Sequence, residues 1–160
     1  MLAALRNSAC VEGYVWIRGY HEPSDGGEGF FRWHPSARDP DDGGSRIAPA
    51  DSARDGRWHR VILGRWDVRW FGARGDGIAN DWIPIHSALS AALAGTEVWF
   101  PRTSGHYRIR CNQSVALHVR KNLHLRGEPG VALVLESARE IPGATLFVVT
   151  DPNVTLCCTD

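Results

Sequence analysis

The sequence predicts a mainly β protein in three parts: a small N-terminal β domain, one helix near residues 81–94, and a C-terminal run of stacked parallel strands. Three observations carry this. Residues 1–64 alternate strand-length apolar runs with Gly/Asp/Pro turns. One segment has helical periodicity, with Ile85, Ala88, Leu89, Ala92 and Leu93 at i, i+3, i+4, i+7 and i+8. Beyond it, Asn122-Leu123-His124-Leu125 is echoed downstream by Asn153-Val154-Thr155-Leu156, an offset within the range of stacked repeats.

In the first part the apolar runs are Tyr14–Ile17, Gly29–Trp33, Ser45–Ala48 and Arg57–Ile62. Between them lie Ser24-Asp25-Gly26-Gly27, Asp39-Pro40-Asp41-Asp42-Gly43-Gly44 and Asp55-Gly56. Short strands with such turns fit a small antiparallel unit. The aspartate–glycine clusters lack the alternating oxygen ligands of an EF-hand, so plain turns are expected in place of calcium loops.

The centre of the chain reads Asp67-Val68-Arg69-Trp70-Phe71-Gly72-Ala73-Arg74-Gly75-Asp76-Gly77, then Asn80-Asp81. This predicts a short apolar strand, a glycine bend and a helix start. Gly72, Gly75 and Gly77 permit backbone angles other residues resist. Asn80 or Asp81 is placed to cap the helix, Pro84 falls in its first turn, and Gly95 is placed as its C′ residue. Asp76 and Asp81 form a carboxylate couple whose expected task is bend and cap hydrogen bonding.

After the helix come the runs Glu97–Phe100, Tyr107–Ile109, Val115–Val119, Leu123–Leu125, Val131–Leu135, Leu146–Val149 and Val154–Leu156. Their continuous apolar character suits parallel sheets. A small sandwich would show more two-residue hairpin turns.

Composition narrows function. Formal net charge is +0, which argues against nucleic-acid or membrane-surface binding. No apolar run approaches the roughly 20 residues of a membrane span, and Met1–Ser8 lacks the regions of a signal peptide. Cys10, Cys111, Cys157 and Cys158 make no C-x-x-C pair and read as free thiols, with no metal cluster. His118 and His124 lack a third ligand in register. No nucleotide, hydrolase or metalloprotease motif occurs, so no cofactor is expected and no residue is assigned a catalytic role.

From Val98 to Gly127 there is no acid, whereas Arg108, Arg110, Arg120 and Arg126 recur there with Arg102, Lys121, His106, His118 and His124. On stacked strands such residues align into a face able to pair with the carboxylates of an acidic polysaccharide. A solvated or intersubunit surface is the rival reading. Of the seven tryptophans, Trp82 is the best placed for exposure, although packing is the expected role for all.

The phrase Phe71-Gly72-Ala73-Arg74-Gly75-Asp76-Gly77, Asn80-Asp81, then Val98-Trp99-Phe100-Pro101 and Tyr107 resembles the opening of the pectate-lyase-like right-handed β-helix family of phage tailspikes and polysaccharide-acting enzymes. Upstream, Gly19-Tyr20, Asp25-Gly26-Gly27-Glu28-Gly29-Phe30, Asp41-Asp42-Gly43-Gly44 and Gly56-Arg57-Trp58 resemble the leader of tailspike-like proteins. Asn80 replaces the family's first aspartate, and Trp82-Ile83-Pro84 its threonine and small residues. The resemblance implies a leader or attachment domain at 1–64, a β-helix opening with capping helix at 65–95, and the first coils of a right-handed parallel β-helix at 96–160. An uncapped third coil would need further coils or another chain. The implied function is a virion-tail or extracellular spike, a homotrimer or tail-assembly partner, that binds and in full length degrades cell-surface polysaccharide. A bacterial lyase or glycoside hydrolase and a non-enzymatic assembly module are the alternatives.

Overall fold

In the computed structural model, described over residues 1–9, 12–51, 54–111, 115–137, 145–149 and 153–158, the chain divides into two compact units. Met1–Leu63 with Arg69–Gly72 form one; Gly64–Val68 with Ala73–Asp160 form the other.

The first unit is a four-stranded antiparallel sheet of β1 (Tyr14–Ile17), β2 (Gly29–His34), β3 (Arg46–Ile47) and β4 (Arg57–Arg60), ordered β1-β2-β4-β3. Strands β3 and β4 are shorter than the runs Ser45–Ala48 and Arg57–Ile62 predict. Ser45 and Ala48 instead serve the aspartate turn beside β3, since both their N–H groups donate to Asp41 or Asp42. Alternation puts one side of each strand inward: Ile17, Phe31, Trp33, Ile47 and Trp58 are buried. A short helix that the sequence reading lacks, α1 (Leu2–Arg6), adds Leu2 and Leu5 to this core. Gly56 is obligatory where it stands. Its φ is +99°, and a Cβ there would lie 2.1 Å from the Trp33 ring.

Arg60 points into this core, buried beside Phe31. Its guanidinium donates to the carbonyls of Gly44 (3.2 Å), Glu28 (2.9 Å) and Gly27 (2.9 Å), and lies over the rings of Phe31 and Trp70. One buried cation thus ties two glycine turns to the sheet.

The second unit opens with β5 (Trp66–Asp67), where a short apolar strand is predicted; a turn of 3-10 helix, Val68–Phe71, follows in the chain, its residues from Arg69 on belonging to the first unit. Helix α2 (Trp82–Ala91) follows. Then come β6 (Thr96–Phe100), β7 (Tyr107–Cys111), β8 (Val115–Val119), β9 (Leu123–Gly127), β10 (Leu133–Ser137), β11 (Thr145–Val149) and β12 (Thr155–Cys158). All their pairings are parallel, and each strand pairs with the one three places on: β6 with β9 and β9 with β12, β7 with β10, β8 with β11. The echo between Asn122–Leu125 and Asn153–Leu156 is the register of one such pair, Thr155 on His124 and Leu156 on Leu125. Like residues therefore stack, Val98 on Leu125, Ile109 on Leu135 and Leu117 on Phe147.

Helix α2 packs on β7 and β8 through Ile85, Ala88 and Leu89, all buried. It is shorter than the predicted 81–94. Leu93 is 65% exposed and not part of the apolar face, because the helix has already ended at Ala91. Gly95 is not its C′ residue. Lys121 Nζ reaches across and donates to the carbonyls of Ser90 and Ala92 (the latter at 3.0 Å). That side chain replaces a glycine cap, and Gly95, with φ +82°, instead leads into β6.

Candidate functional site

The glycine bend is built as its composition requires: Gly72, Gly75 and Gly77 have φ of +95°, +62° and +73°. Its two aspartates differ in role. Asp76 clasps the bend itself, accepting from the N–H groups of Ala79 (2.7 Å) and Ile78 (2.8 Å), bonds that lower its pKa. Asp81 stands at the N-cap position but caps nothing with its side chain. Its carboxylate turns away from the helix and accepts from Arg74 N–H (2.7 Å), Gly75 N–H (3.1 Å) and Arg108 N–H on β7 (3.2 Å). It is 1% exposed, and burial outweighs these donors and raises its pKa. The capping falls to Asn80, whose Oδ1 accepts from Trp82 N–H (3.1 Å) and from Arg110 N–H, while its Nδ2 donates to the Arg110 carbonyl. Asn80 and Asp81 thus dock the bend onto β7.

The basic stretch divides when the strands stack. Arg108 donates from Nε and Nη2 to Glu136 on β10 (2.7 and 2.6 Å) and from Nη1 to the Ile78 carbonyl. This pairing holds the Glu136 carboxyl below its ordinary range. Arg126 lies 3.7 Å from Glu97. Arg110 and Arg120 are exposed. The acid-free stretch is therefore partly neutralised by acids from neighbouring strands. The sequence signal for it is the register: Glu136 pairs with Arg110, two positions beyond Arg108 on β7.

The remaining candidates separate. His118 lies on β8 and His124 on β9, in different sheets, and no group of three metal-ligating side chains exists among the described residues. Trp82 is half-buried and donates Nε1–H to the Ala116 carbonyl at 2.6 Å, so it is held by packing. Cys111 is buried; Cys10 and the side chains of Cys157 and Cys158 lie outside the described residues. No helix among the described residues is long and apolar enough to cross a membrane.

In the first unit the aspartate clusters are turns clasped by their own backbone. Asp25 accepts from the N–H groups of Tyr20, His21, Glu22 and Gly27. Asp42 accepts from Gly44, Ser45 and Arg46 N–H and pairs with the Arg46 guanidinium. Asp41 binds Gly43 and Ala48 N–H and the Arg6 guanidinium. Partial burial opposes ionisation of all three, yet the donors win and their pKa values are lowered. With their lone pairs spent inward, they present no convergent set of oxygen ligands.

The chain thus carries a four-stranded antiparallel sheet and, after it in sequence, parallel strands paired three apart. Residues 2–63 match the family model for the phage tail protein small four-stranded beta-sheet domain. Among solved structures the chain is similar to the enzymatically active domain of tailspike protein 2 of bacteriophage CBA120, at 18% identity and a TM-score of 0.52, covering 98% of this chain and 29% of that one. It is also similar to the tailspike protein of Acinetobacter baumannii phage AM24, at 17% identity and a TM-score of 0.51, covering 96% and 28%. A third similar structure is Pantoea stewartii WceF, described as a glycan biofilm modifying enzyme with a bacteriophage tailspike-like parallel beta-helix fold. There the identity is 14%, the TM-score 0.58, and the coverage 99% and 27%. The chain spans under a third of the length of these chains. No curated protein sequence matches it.

Proposed function

We propose that the chain is the N-terminal part of a tailspike-like protein of the virion tail that binds, and in full length degrades, a cell-surface polysaccharide. In this reading residues 1–64 are the attachment domain, 65–95 open a pectate-lyase-like right-handed parallel β-helix, and 96–160 are its first coils. The observation that carries it is the pairing of each parallel strand from β6 to β9 with the strand three places on, directly after a phage-tail sheet domain. A sheet in that position serves as a joint or platform, which suits a spike assembling as a homotrimer on a tail. Of the four arginines Arg120 is the best placed for anionic sugars, since Arg108 and Arg126 already face acids and Arg110 stands opposite Glu136 in the strand register.

The test is the full-length reading frame, purified and incubated with capsular and lipopolysaccharide preparations. Release of reducing ends without ultraviolet absorbance marks a hydrolase, and reducing ends released together with ultraviolet-absorbing unsaturated ends mark a lyase. A full-length protein that neither binds nor shortens any of them refutes the proposal. The likeness to WceF, a glycan biofilm modifying enzyme from a bacterium, supports a second reading: a cellular polysaccharide-modifying enzyme without a virion. Finding the protein in purified particles decides between them.

A further inference from the structure

The four-stranded sheet of the first unit spends only one of its faces on its core. The other presents Tyr14 and Trp16 from β1, Phe30, Arg32 and His34 from β2, Arg57 and His59 from β4, and Arg46 from β3. Its β3–β4 half is internally neutralised. Arg46 pairs with Asp42, His59 lies 3.4 Å from Asp39, and Arg57 donates to the carbonyls of Asp39 and Gly56. The β1–β2 half is different. Tyr14 is 64% exposed, Trp16 48% and Phe30 53%. Trp16 and Phe30 are direct cross-strand partners, with rings edge-on at 4.7 Å, and Arg32 lies over the Tyr14 ring at 5.8 Å.

We propose that Tyr14, Trp16, Phe30 and Arg32 form a binding site for an acidic sugar residue of a polysaccharide. The ligand class rests on the function proposed above; the site lies wholly on the antiparallel sheet. Each part of the patch has a task. The C–H face of a sugar ring is apolar and slightly positive, and the faces of Trp and Tyr rings are negative, so the two stack. Phe30, edge-on to Trp16, props that ring in place. Arg32 offers paired N–H groups to a carboxylate.

Size chooses this occupant over a protein. Three aromatics of roughly 150–250 Å² each, about half exposed, make a patch of roughly 300–400 Å². A stable protein interface needs about 800 Å² from each partner, whereas one or two sugar rings fit the smaller area.

The chain is tested by affinity electrophoresis in gels containing polygalacturonate, alginate or hyaluronate, with dextran as the neutral polymer, and by tryptophan fluorescence titration. Binding to at least one acidic polymer is expected, with dextran at least tenfold weaker. Trp16→Ala and Arg32→Gln should each weaken acidic-polymer binding tenfold or more while leaving circular dichroism and melting unchanged, because both side chains are exposed. Arg38→Gln, at an exposed ion pair outside this patch, should not, and Arg110→Gln with Arg120→Gln reports separately on the stacked strands. If no acidic polymer binds, the site is refuted. If the double arginine variant abolishes binding while Trp16→Ala and Arg32→Gln do not, this site is refuted and polysaccharide binding by the stacked strands stands. A concentration-dependent dimer lost in Trp16→Ala would make the face a self-interface, again overturning the proposal.

Discussion

Replacing Asp81 by alanine should loosen the glycine bend from β7 without melting the sheet of the first unit. The carboxylate is the acceptor for three N–H groups, those of Arg74, Gly75 and Arg108, at 2.7, 3.1 and 3.2 Å. A buried donor left without an acceptor costs about 1–3 kcal/mol, so three would sum to about 3–6 kcal/mol after local relaxation. Part of this is returned. The residue is buried and its pKa is raised, so its charge is held at a desolvation cost, worth about 1–2 kcal/mol once removed. Three N–H groups stranded in a buried site cost more than the relieved desolvation returns, and a net loss of about 2–4 kcal/mol follows. Asp81→Asn keeps the shape but turns an amide N–H₂ toward at least one N–H donor, and should cost about 1–3 kcal/mol. Amide exchange measured by NMR on the intact chain reads this locally. In Asp81→Ala the Arg74, Gly75 and Arg108 amides should open roughly 30- to 1,000-fold more often, at about 1.4 kcal/mol per factor of ten. Asp76→Ala, which loses two bonds at a more exposed site, should cost only about 1 kcal/mol and leave the Arg108 amide protected. If the three amides exchange at the wild-type rate in Asp81→Ala, the strap is not what docks the bend.

Other changes separate the remaining effects. Gly56→Ala forces a left-handed backbone on alanine and a Cβ into the Trp33 ring, and should destabilise the first unit by about 2–4 kcal/mol in urea unfolding. Asp25, Asp41 and Asp42 have lowered pKa values, so their stabilisation is complete above the ordinary carboxylate range and drains away as pH falls through their folded values. The first unit should hold to about pH 5 and lose stability below about pH 4, and Asp42→Asn should flatten that slope. Asp81 has the opposite sign, its contribution being greatest at low pH and fading as pH rises through its raised pKa, so acid should not release the bend. Arg108→Ala breaks a partly exposed ion pair and the hydrogen bond to the Ile78 carbonyl, and should lower the stability of the second unit by no more than about 1 kcal/mol in urea unfolding.

What is legible in the sequence is what repeats or what is chemically singular. In the first unit the strands are legible as apolar runs between glycine turns, but which face is inward is not, because Tyr14-Val15-Trp16-Ile17 and Phe30-Phe31 are apolar on both faces and only burial alternates. The echo of Asn122–Leu125 in Asn153–Leu156 states the β9–β12 register by itself, since parallel stacking sets like residue on like. The helix can be placed from its periodicity but not ended. Its C-terminal carbonyls are served by Lys121, just ahead of β9, and no local rule sees a cap that arrives from another part of the chain. Asp81 misleads for the same reason. At a helix start an aspartate looks like a cap, but the N–H group of Arg108 competes for it from a strand far along the chain.

The basic stretch shows most sharply why site residues are harder to read than scaffold. Read linearly, the acid-free run from Val98 to Gly127 looks like a cationic face. Stacking brings Glu136 within 2.6 Å of Arg108 and Glu97 within 3.7 Å of Arg126, and two of the four arginines acquire partners from neighbouring strands. Where each strand pairs with the one three places on, the neighbours that set a residue's charge environment lie a full repeat away in the chain. Charge must therefore be summed across the paired strands and not along the sequence. By that rule Arg120 keeps the cationic character the linear reading gives to all four, while Arg110 stands opposite Glu136 in the strand register. The aromatic patch on β1 and β2 keeps its chemistry for a related reason. Its partners are set by antiparallel pairing between consecutive strands, so Tyr14 meets Arg32 and Trp16 meets Phe30 whatever follows in the chain.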